Sequence, residues 1–341
     1  MTTPNPADAG SGEVVAAASL EPKATRSLPW GNGKRGRGDR LFHGLSEGSG
    51  VLIVVLIAAI GVFLLVRAIP ALVRDKENFF TYGGNWVTTN TSAMHFGILD
   101  LLQVTAFAAS FALILAMPVA LGIAIFLAQY SPRRITGPLA YLVDLLAAVP
   151  SIIYGVWGLY VLAPRLRPIA TWLNEHLGWF FLFATGNASV SGGGTIFTAG
   201  IVLAVMILPI ITAVTREVFI KTPQSHIEAA LALGATRWEV VKTTVLPFGR
   251  SGYISGAVLG LGRALGETVA LLIILRGTQA AFGWSLFDGG YTFATKIAAT
   301  ASEFNNQYKA GAYIAAGLVL FLLTFVVNAM ARAAVAGKDT R

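Results

Sequence analysis

Residues 228–247 read EAALALGATRWEVVKTTVLP and lie between two strongly apolar segments. Gly234 divides the stretch, because glycine readily takes the backbone angles that end one helix and let another begin. The small side chains of Ala229 and Ala230 leave room for a second surface to approach closely. The pattern therefore predicts a polar helix–glycine–helix segment, exposed to water, within a chain built for a membrane. An ordinary surface helix with a glycine cap is the alternative interpretation.

The composition indicates a membrane protein. Hydrophobic residues make up 55% of the 341 residues and charged residues only 12%, and the mean hydropathy is +0.67. Soluble domains carry about 25% charged residues. The net charge of +8 is compatible with nucleic acid binding. In so apolar a chain, however, an excess of Lys and Arg on one membrane face is the simpler explanation, and we expect membrane lipid and no nucleic acid as a partner.

Several kinds of site are excluded by the residues present. The chain has no cysteine, so it offers neither a disulfide framework nor a thiolate metal site. The sequence contains no phosphate-binding loop of the ATPase type and no nucleophile–base constellation. We therefore expect no catalytic residue, no metal site and no cofactor in this chain. Four scattered histidines are interpreted as structural or solvated: His43, His95, His176 and His226.

Six segments are long and apolar enough to cross a bilayer. They lie near residues 50–73, 97–128, 137–163, 196–219, 252–275 and 311–332. If the amino terminus is inside, the inner loops carry roughly twice as many Lys and Arg residues as the outer loops, which is the usual bias of membrane proteins. The sequence thus predicts an all-α membrane protein with six transmembrane helices, with both termini and the 228–247 stretch in the cytoplasm.

The predicted domain organisation follows from these spans. Residues 1–45 are rich in Ala, Gly, Pro and Ser, and we expect a disordered cytoplasmic tail. Its basic cluster, residues 34–40, suits contact with anionic lipid headgroups or simply fixes the topology. Residues 46–335 form the membrane domain, with its cytoplasmic loop at 220–250. Residues 336–341 form a short cytoplasmic tail.

The fifth predicted span carries two rows of glycines. Gly252, Gly256 and Gly260 recur every four residues, and Gly262 and Gly266 form a second row with the same spacing. Small residues in such rows let membrane helices pack backbone to backbone. We therefore expect two close helix–helix contacts along this span.

The same span carries the charged residues Arg263 and Glu267. A charge near the middle of a span costs at least about 2.5–3.5 kcal/mol on insertion scales. In a continuous helix Glu267 would lie one turn beyond Arg263 on the same face. Two interpretations stay open: the pair lines a translocation path, or it is a buried structural clamp.

Two motifs resemble those of a known transporter family. Residues 262–268, GRALGET, resemble the signature of permeases from phosphate-specific ABC importers. Residues 145–163, LLAAVPSIIYGVWGLYVLA, resemble the third span of the PstC family of permease subunits rather than that of its paralogue PstA. The 228–247 stretch resembles the coupling loop that contacts the ATPase in ABC importers. The matching positions are Glu228, Ala229, Ala230, Gly234, Leu246 and Pro247.

The resemblance, which covers about residues 50–335, implies a type I ABC importer permease of MetI-like architecture. It implies three partners: a second permease subunit (PstA-like), an ATPase dimer (PstB-like) that binds ATP and Mg²⁺, and an extracytoplasmic phosphate-binding protein (PstS-like). The chain would then be a transporter subunit in the bacterial inner membrane and not an enzyme. One alternative is the same architecture for another oxyanion, molybdate or sulfate. A channel or secondary transporter is a further alternative, although the spans show no inverted repeat.

Overall fold

The computed structural model describes residues 37–90, 93–278, 280–304 and 306–336. Apart from two isolated β-bridges, these residues form helices and irregular connections, which confirms the predicted all-α class. The helices are α1 (Arg37–Leu72), α2 (Leu99–Ile125), α3 (Arg133–Ala148), α4 (Ser151–Trp157), α5 (Ala163–Leu177), α6 (Ile196–Ile220), α7 (Gln224–Ala232), α8 (Arg237–Val240), α9 (Leu246–Leu265), α10 (Val269–Ile274), α11 (Phe293–Ala299) and α12 (Gln307–Ala336).

Four helical segments in the described part are long and apolar enough to cross a membrane. They are Leu41–Leu72, Leu99–Tyr130, Val190–Ile220 and Gln307–Ala333. A fifth is obtained if the bent pair Arg134–Ala148 and Ser151–Leu177 counts as one span. The predicted spans near 50–73, 97–128, 196–219 and 311–332 therefore correspond to continuous helices, whereas the other two predicted spans do not.

The third predicted span, 137–163, is interrupted at Pro150. Helices α3 and α4 meet there at 88°. Val149 and Pro150 are extended, with ψ of 129° and 137°. Proline has no N–H to donate and disfavours helical angles at the residue before it, so α3 ends and a new helix begins. One continuous helix over 137–163, with Pro150 only kinking it, was therefore a wrong expectation.

The fifth predicted span, 252–275, is interrupted as well. Helix α9 ends at Leu265, with Gly266 as its last capping residue, and α10 begins only at Val269. A glycine-rich helix is intrinsically weak. The Glu267 carboxylate also accepts a hydrogen bond from the Ala270 N–H at 3.2 Å, which stabilises the new helix start instead of a continued α9. The continuous helix expected here was wrong too.

Helix α6 lies at the centre of the packed helices, between α2 and α9. Most of its apolar window is buried. Alanines spaced along one side of α2 are almost fully buried, and their small side chains let α2 approach α6 closely. They are Ala108, Ala112, Ala116, Ala120 and Ala124.

The first glycine row packs α9 against α6. A methyl group added at Gly252 would overlap the side chain of Val218, and one at Gly260 would lie 2.9 Å from Ile211 Cγ1. A methyl group added at Gly256 would lie 3.3 Å from the Ile211 carbonyl oxygen. The second row makes no such contact in the described residues. A methyl group added at Gly262 would have Asn328 Oδ1 as its nearest neighbour, at 3.9 Å, and Gly266 is exposed.

The amino-terminal helix starts earlier than predicted. Helix α1 begins at Arg37, so a disordered tail reaching to residue 45 was wrong for residues 37–45. A helix extends easily once an apolar span has nucleated it, and no proline opposes this between Arg37 and the span. Residues 1–36 and 337–341, with most of the predicted tails, lie outside the described residues. The chain divides at Leu56 into two units: the described residues of the first are helical, and the second, from Ile57, contains the core.

Candidate functional site

The polar segment around Gly234 forms two short helices, α7 before the glycine and α8 after it. Gly234 has a φ of +86°, the left-handed conformation that glycine adopts without strain. No atom outside its immediate chain neighbours would lie within 4 Å of a methyl group added there. The glycine is therefore required by the backbone turn and not by a close neighbour.

The start of α8 is fixed by a capping box. The Glu239 N–H donates to the Thr236 hydroxyl at 3.3 Å, and the Thr236 N–H and hydroxyl donate to Glu239 Oε2 at 2.7 and 2.8 Å. The backbone N–H and then the hydroxyl of Thr236 hold the pKa of Glu239 below its usual range. This pair was not predicted, although a Thr followed three residues later by Glu is the known signature of a capping box.

Residues 224–245 are called the coupling segment below. Several large apolar side chains of this segment are exposed. Leu233 is 89% exposed, Trp238 57% and Leu231 46%. Exposed apolar clusters of this kind usually mark a surface for a partner. Of the six positions matched by resemblance, Glu228, Ala229, Gly234 and Pro247 are exposed, and Ala230 and Leu246 are half-buried.

Leu246 and Pro247 differ in position from the other matched residues. Both lie in the first turn of α9, where the missing N–H of a proline costs nothing. Leu246 packs on the buried cluster formed by Phe219, Val241 and Val245. Leu246 therefore anchors the end of the coupling segment to the membrane helices, whereas Pro247 is exposed.

Arg263 and Glu267 are not paired as predicted. Because α9 ends between them, Glu267 does not lie one helical turn beyond Arg263 on a shared face. Among the described residues, the ion pairs within 4.0 Å do not include these two. Glu267 is 8% exposed and caps α10, whereas Arg263 is half-buried and its buried Nε atom has no hydrogen-bond partner in the described structure.

The two interrupted spans meet beside these charges. A methyl group added at Gly155 on α4 would lie 2.9 Å from Ala270 Cα, and the Ala270 N–H is the group that Glu267 caps. The neighbouring Tyr154 is buried, and its hydroxyl donates to the Leu146 carbonyl at 2.7 Å. Arg263 lies in the last turn of α9, next to the second break, so an arginine, a carboxylate and a tyrosine flank the two breaks. Sequence reasoning gave Tyr154 no role.

Comparison with known proteins identifies the family. Residues 120–338 match the family model of binding-protein-dependent transport system inner membrane components. The chain is 60% identical over 302 residues to the phosphate transport system permease protein PstC 2 of Mycobacterium tuberculosis, covering 89% of this chain and 93% of that protein. It is 39% identical over 316 residues to PstC of Xylella fastidiosa, covering 92% and 95%.

Among solved structures, the chain resembles a subunit of the inward-facing MetNI methionine ABC transporter. The TM-score is 0.50 at 16% identity, and the match covers 70% of this chain and 96% of the other. At that identity the likeness concerns the fold alone, and it agrees with the MetI-like architecture predicted from the motifs. The chain therefore belongs to the binding-protein-dependent transport system inner membrane components and, within them, to the PstC family of phosphate transport system permease proteins.

Proposed function

We propose that this chain is a permease subunit of an ATP-driven importer that moves inorganic phosphate across the bacterial inner membrane by alternating access. The observation that carries the proposal is its similarity, over nearly the whole chain, to proteins named phosphate transport system permease PstC. The half-buried Arg263, next to two interrupted spans, supplies the positive charge that an anion path needs.

Arg263 and Glu267 together suit phosphate better than sulfate. At neutral pH phosphate keeps at least one proton, and sulfate keeps none. A guanidinium attracts either anion and donates parallel hydrogen bonds to it. A carboxylate accepts a hydrogen bond only from an anion that still carries a proton, and it repels the other. Glu267 keeps acceptor capacity for this, because among the described residues its carboxylate accepts one hydrogen bond, from the Ala270 N–H. An attractive group beside a repulsive one is a common route to discrimination.

The energy for transport comes from a separate polypeptide in this proposal. ATP and Mg²⁺ are bound by a PstB-like ATPase dimer, because this chain carries no phosphate-binding loop. The coupling segment suits the contact, since Leu233 and Trp238 are exposed and Gly234 leaves open space around the turn. If the contact with the ATPase were lost, ATP hydrolysis would no longer drive movement of the helices that follow, the first of which begins at Leu246.

The proposed complex also contains a PstA-like second permease and a PstS-like binding protein outside the membrane. In this arrangement both termini and the coupling segment face the cytoplasm. The bias of Lys and Arg towards those loops supports the orientation.

The test is uptake by the reconstituted complex. Proteoliposomes containing this chain and its three partners are expected to accumulate labelled phosphate with ATP, and not molybdate or sulfate. Arg263→Gln is expected to abolish uptake while the complex assembles in normal amounts. The matched control is Arg332→Gln, which removes an exposed arginine on α12 and is expected to leave uptake unchanged. Wild-type phosphate uptake by Arg263→Gln would contradict the assigned role, and uptake of another oxyanion instead of phosphate would contradict the substrate.

A further inference from the structure

A cavity of about 200 Å³ lies where α2 begins, away from the charges at the two helix breaks. Five parts of the chain form its walls: residues 83–86, residues 97–104 around the start of α2, Asn187, the loop 277–291 and α11. We call it the outer cavity, because the proposed topology places this end of α2 outside the cytoplasm. Its polar lining side chains are Asn85, Trp86, Asp100, Asn187, Thr278, Tyr291 and Lys296.

Lys296 brings the positive charge to the outer cavity, and it is the single basic residue among the described residues that line it. Its ammonium nitrogen lies 5.4 Å from the ring centroid of Trp86 and 4.8 Å from that of Tyr291. Both rings also line the cavity. Cation–π attraction to two walls therefore fixes the position of the charge.

Asp100, on the first turn of α2, is the single acidic residue among the described lining residues. A methyl group added at Gly83 would lie 2.6 Å from its Oδ1 atom, so the carboxylate is packed against that glycine. A carboxylate has about four lone-pair positions, so acceptor capacity remains on this wall.

The loop wall of the outer cavity is held rigidly by Asp288. This buried carboxylate accepts three backbone N–H groups: Asn187 at 2.8 Å, Gly283 at 2.9 Å and Ser285 at 2.9 Å. Asn187 in turn accepts the Gly289 N–H at 2.7 Å. These bonds join the loop before α6 to the loop before α11, so the cavity is formed before any ligand arrives.

The size and charges of the outer cavity define the ligand. A volume of about 200 Å³ is below the range of about 300–1,000 Å³ that holds drug-sized ligands, and one water occupies about 30 Å³. It therefore fits a small ion with some of its hydration water. A cation and a carboxylate on the walls of one small cavity suit an anion that still carries a proton.

We infer that the outer cavity binds monohydrogen phosphate before translocation, with Lys296 attracting the anion and Asp100 accepting its proton in a hydrogen bond. The inference rests on the proposed function for the identity of the anion. Sulfate has no proton to donate to Asp100 and is repelled by it. The outer cavity thus adds a second site that discriminates phosphate from sulfate to the one proposed at Arg263 and Glu267.

Protection of Lys296 from chemical modification tests the inference in the purified complex. Acetylation by an amine reagent is followed by peptide mass spectrometry with phosphate or sulfate present at matched ionic strength. At a phosphate concentration about ten times its dissociation constant, acetylation of Lys296 is expected to slow about tenfold, and sulfate at the same concentration is expected to slow it much less. Lys242, exposed on the coupling segment, is the control site whose rate should not respond. Asp100→Asn is expected to make phosphate and sulfate protect equally.

The outcomes separate this inference from the proposed function. Equal protection by both anions in the wild-type complex, or none by phosphate, would overturn the outer cavity as a phosphate site. If phosphate uptake still depends on Arg263 in that case, the proposed transport function is retained and only the phosphate site in the outer cavity is rejected. Arg263→Gln is expected to retain protection of Lys296, because the outer cavity does not include Arg263. Loss of protection in that variant would contradict an independent site.

Discussion

The Tyr154 hydroxyl donates a 2.7 Å hydrogen bond to the Leu146 carbonyl across the break between α3 and α4. The last carbonyls of a helix have no helical partner, and this bond satisfies one of them. The two helices meet at 88°, and the residue after Tyr154 packs on Ala270 at the start of α10. One hydroxyl therefore holds the bend next to the second interruption, beside Arg263.

Tyr154→Phe removes that bond and keeps the ring. The Leu146 carbonyl keeps the longer 3.4 Å bond from the Val149 N–H but loses the 2.7 Å bond, so the bend is expected to loosen. We expect the maximal rate of phosphate uptake to fall several-fold while the amount of assembled complex stays normal. Tyr160→Phe, six residues along and 72% exposed, is the control. Equal uptake by both variants would show that the bond has no role in transport.

Gly234→Asp and Gly234→Asn form a matched pair on the coupling segment. Asn and Asp tolerate left-handed backbone angles better than other non-glycine residues, so both should preserve the turn at φ +86°. Only Asp adds a charge where the ATPase is proposed to pack. We expect Asp to reduce co-purification of the ATPase and uptake, and Asn to keep both. Equal losses in the two variants would mean that the backbone turn and not the added charge is responsible.

Gly252→Ala is expected to destabilise the chain, because the added methyl group overlaps Val218 on α6. Overpacking of this kind costs about 1–3 kcal/mol. Gly262→Ala is the control, since its nearest facing atom is 3.9 Å from the added methyl group. The measurement is the thermal unfolding temperature in detergent. A lower temperature for Gly262→Ala than for Gly252→Ala would contradict the packing described here.

Glu267→Gln should keep the local shape, because a glutamine oxygen can still accept the Ala270 N–H. It removes the charge that repels sulfate, so discrimination between phosphate and sulfate is expected to weaken in a complex assayed without the binding protein. Undiminished discrimination would argue against a role for Glu267 in selection. Exchanging Arg263 and Glu267 is expected not to restore transport, since the two side chains form no ion pair; full restoration would favour a structural clamp.

The orientation is tested with a reporter enzyme that is active only outside the cytoplasm. Fused after Gly192, which precedes α6, the reporter is expected to be active. Fused after Thr236 in the coupling segment, it is expected to be silent. Membrane-inserted fusions can be compared at equal expression. Activity at both positions, or the opposite pattern, would show that the proposed topology is wrong.

Features that depend on local composition could be predicted from the sequence. Apolar length alone identified the spans that became α1, α2, α6 and α12. The four-residue spacing of Gly252, Gly256 and Gly260 predicted the close contact that these residues make with α6. The helix–glycine–helix form of the coupling segment followed from the left-handed angles that only glycine takes freely.

The breaks at Pro150 and Gly266 were decided by the tertiary structure. A proline or a glycine within a span is tolerated when the helix continues, and it ends the helix when other groups satisfy the freed backbone. Here Tyr154 satisfies Leu146, and Glu267 satisfies Ala270. Helix α4 packs on α10 beside both breaks, and this contact between distant segments could not be predicted from the four-residue spacing of Arg263 and Glu267.

The same reason explains the outer cavity. Hydrophobicity, glycine spacing and charge bias are properties of neighbouring residues, and the sequence by itself determined the membrane class, the main spans and the coupling segment. Asp100 and Lys296 lie almost two hundred positions apart, and no spacing rule connects them. They meet at one cavity because α11 packs on α2, where the Phe293 N–H donates to the Thr105 hydroxyl at 3.2 Å. Cooperative packing of distant segments, and not local propensity, therefore decided where the charged groups of this protein meet.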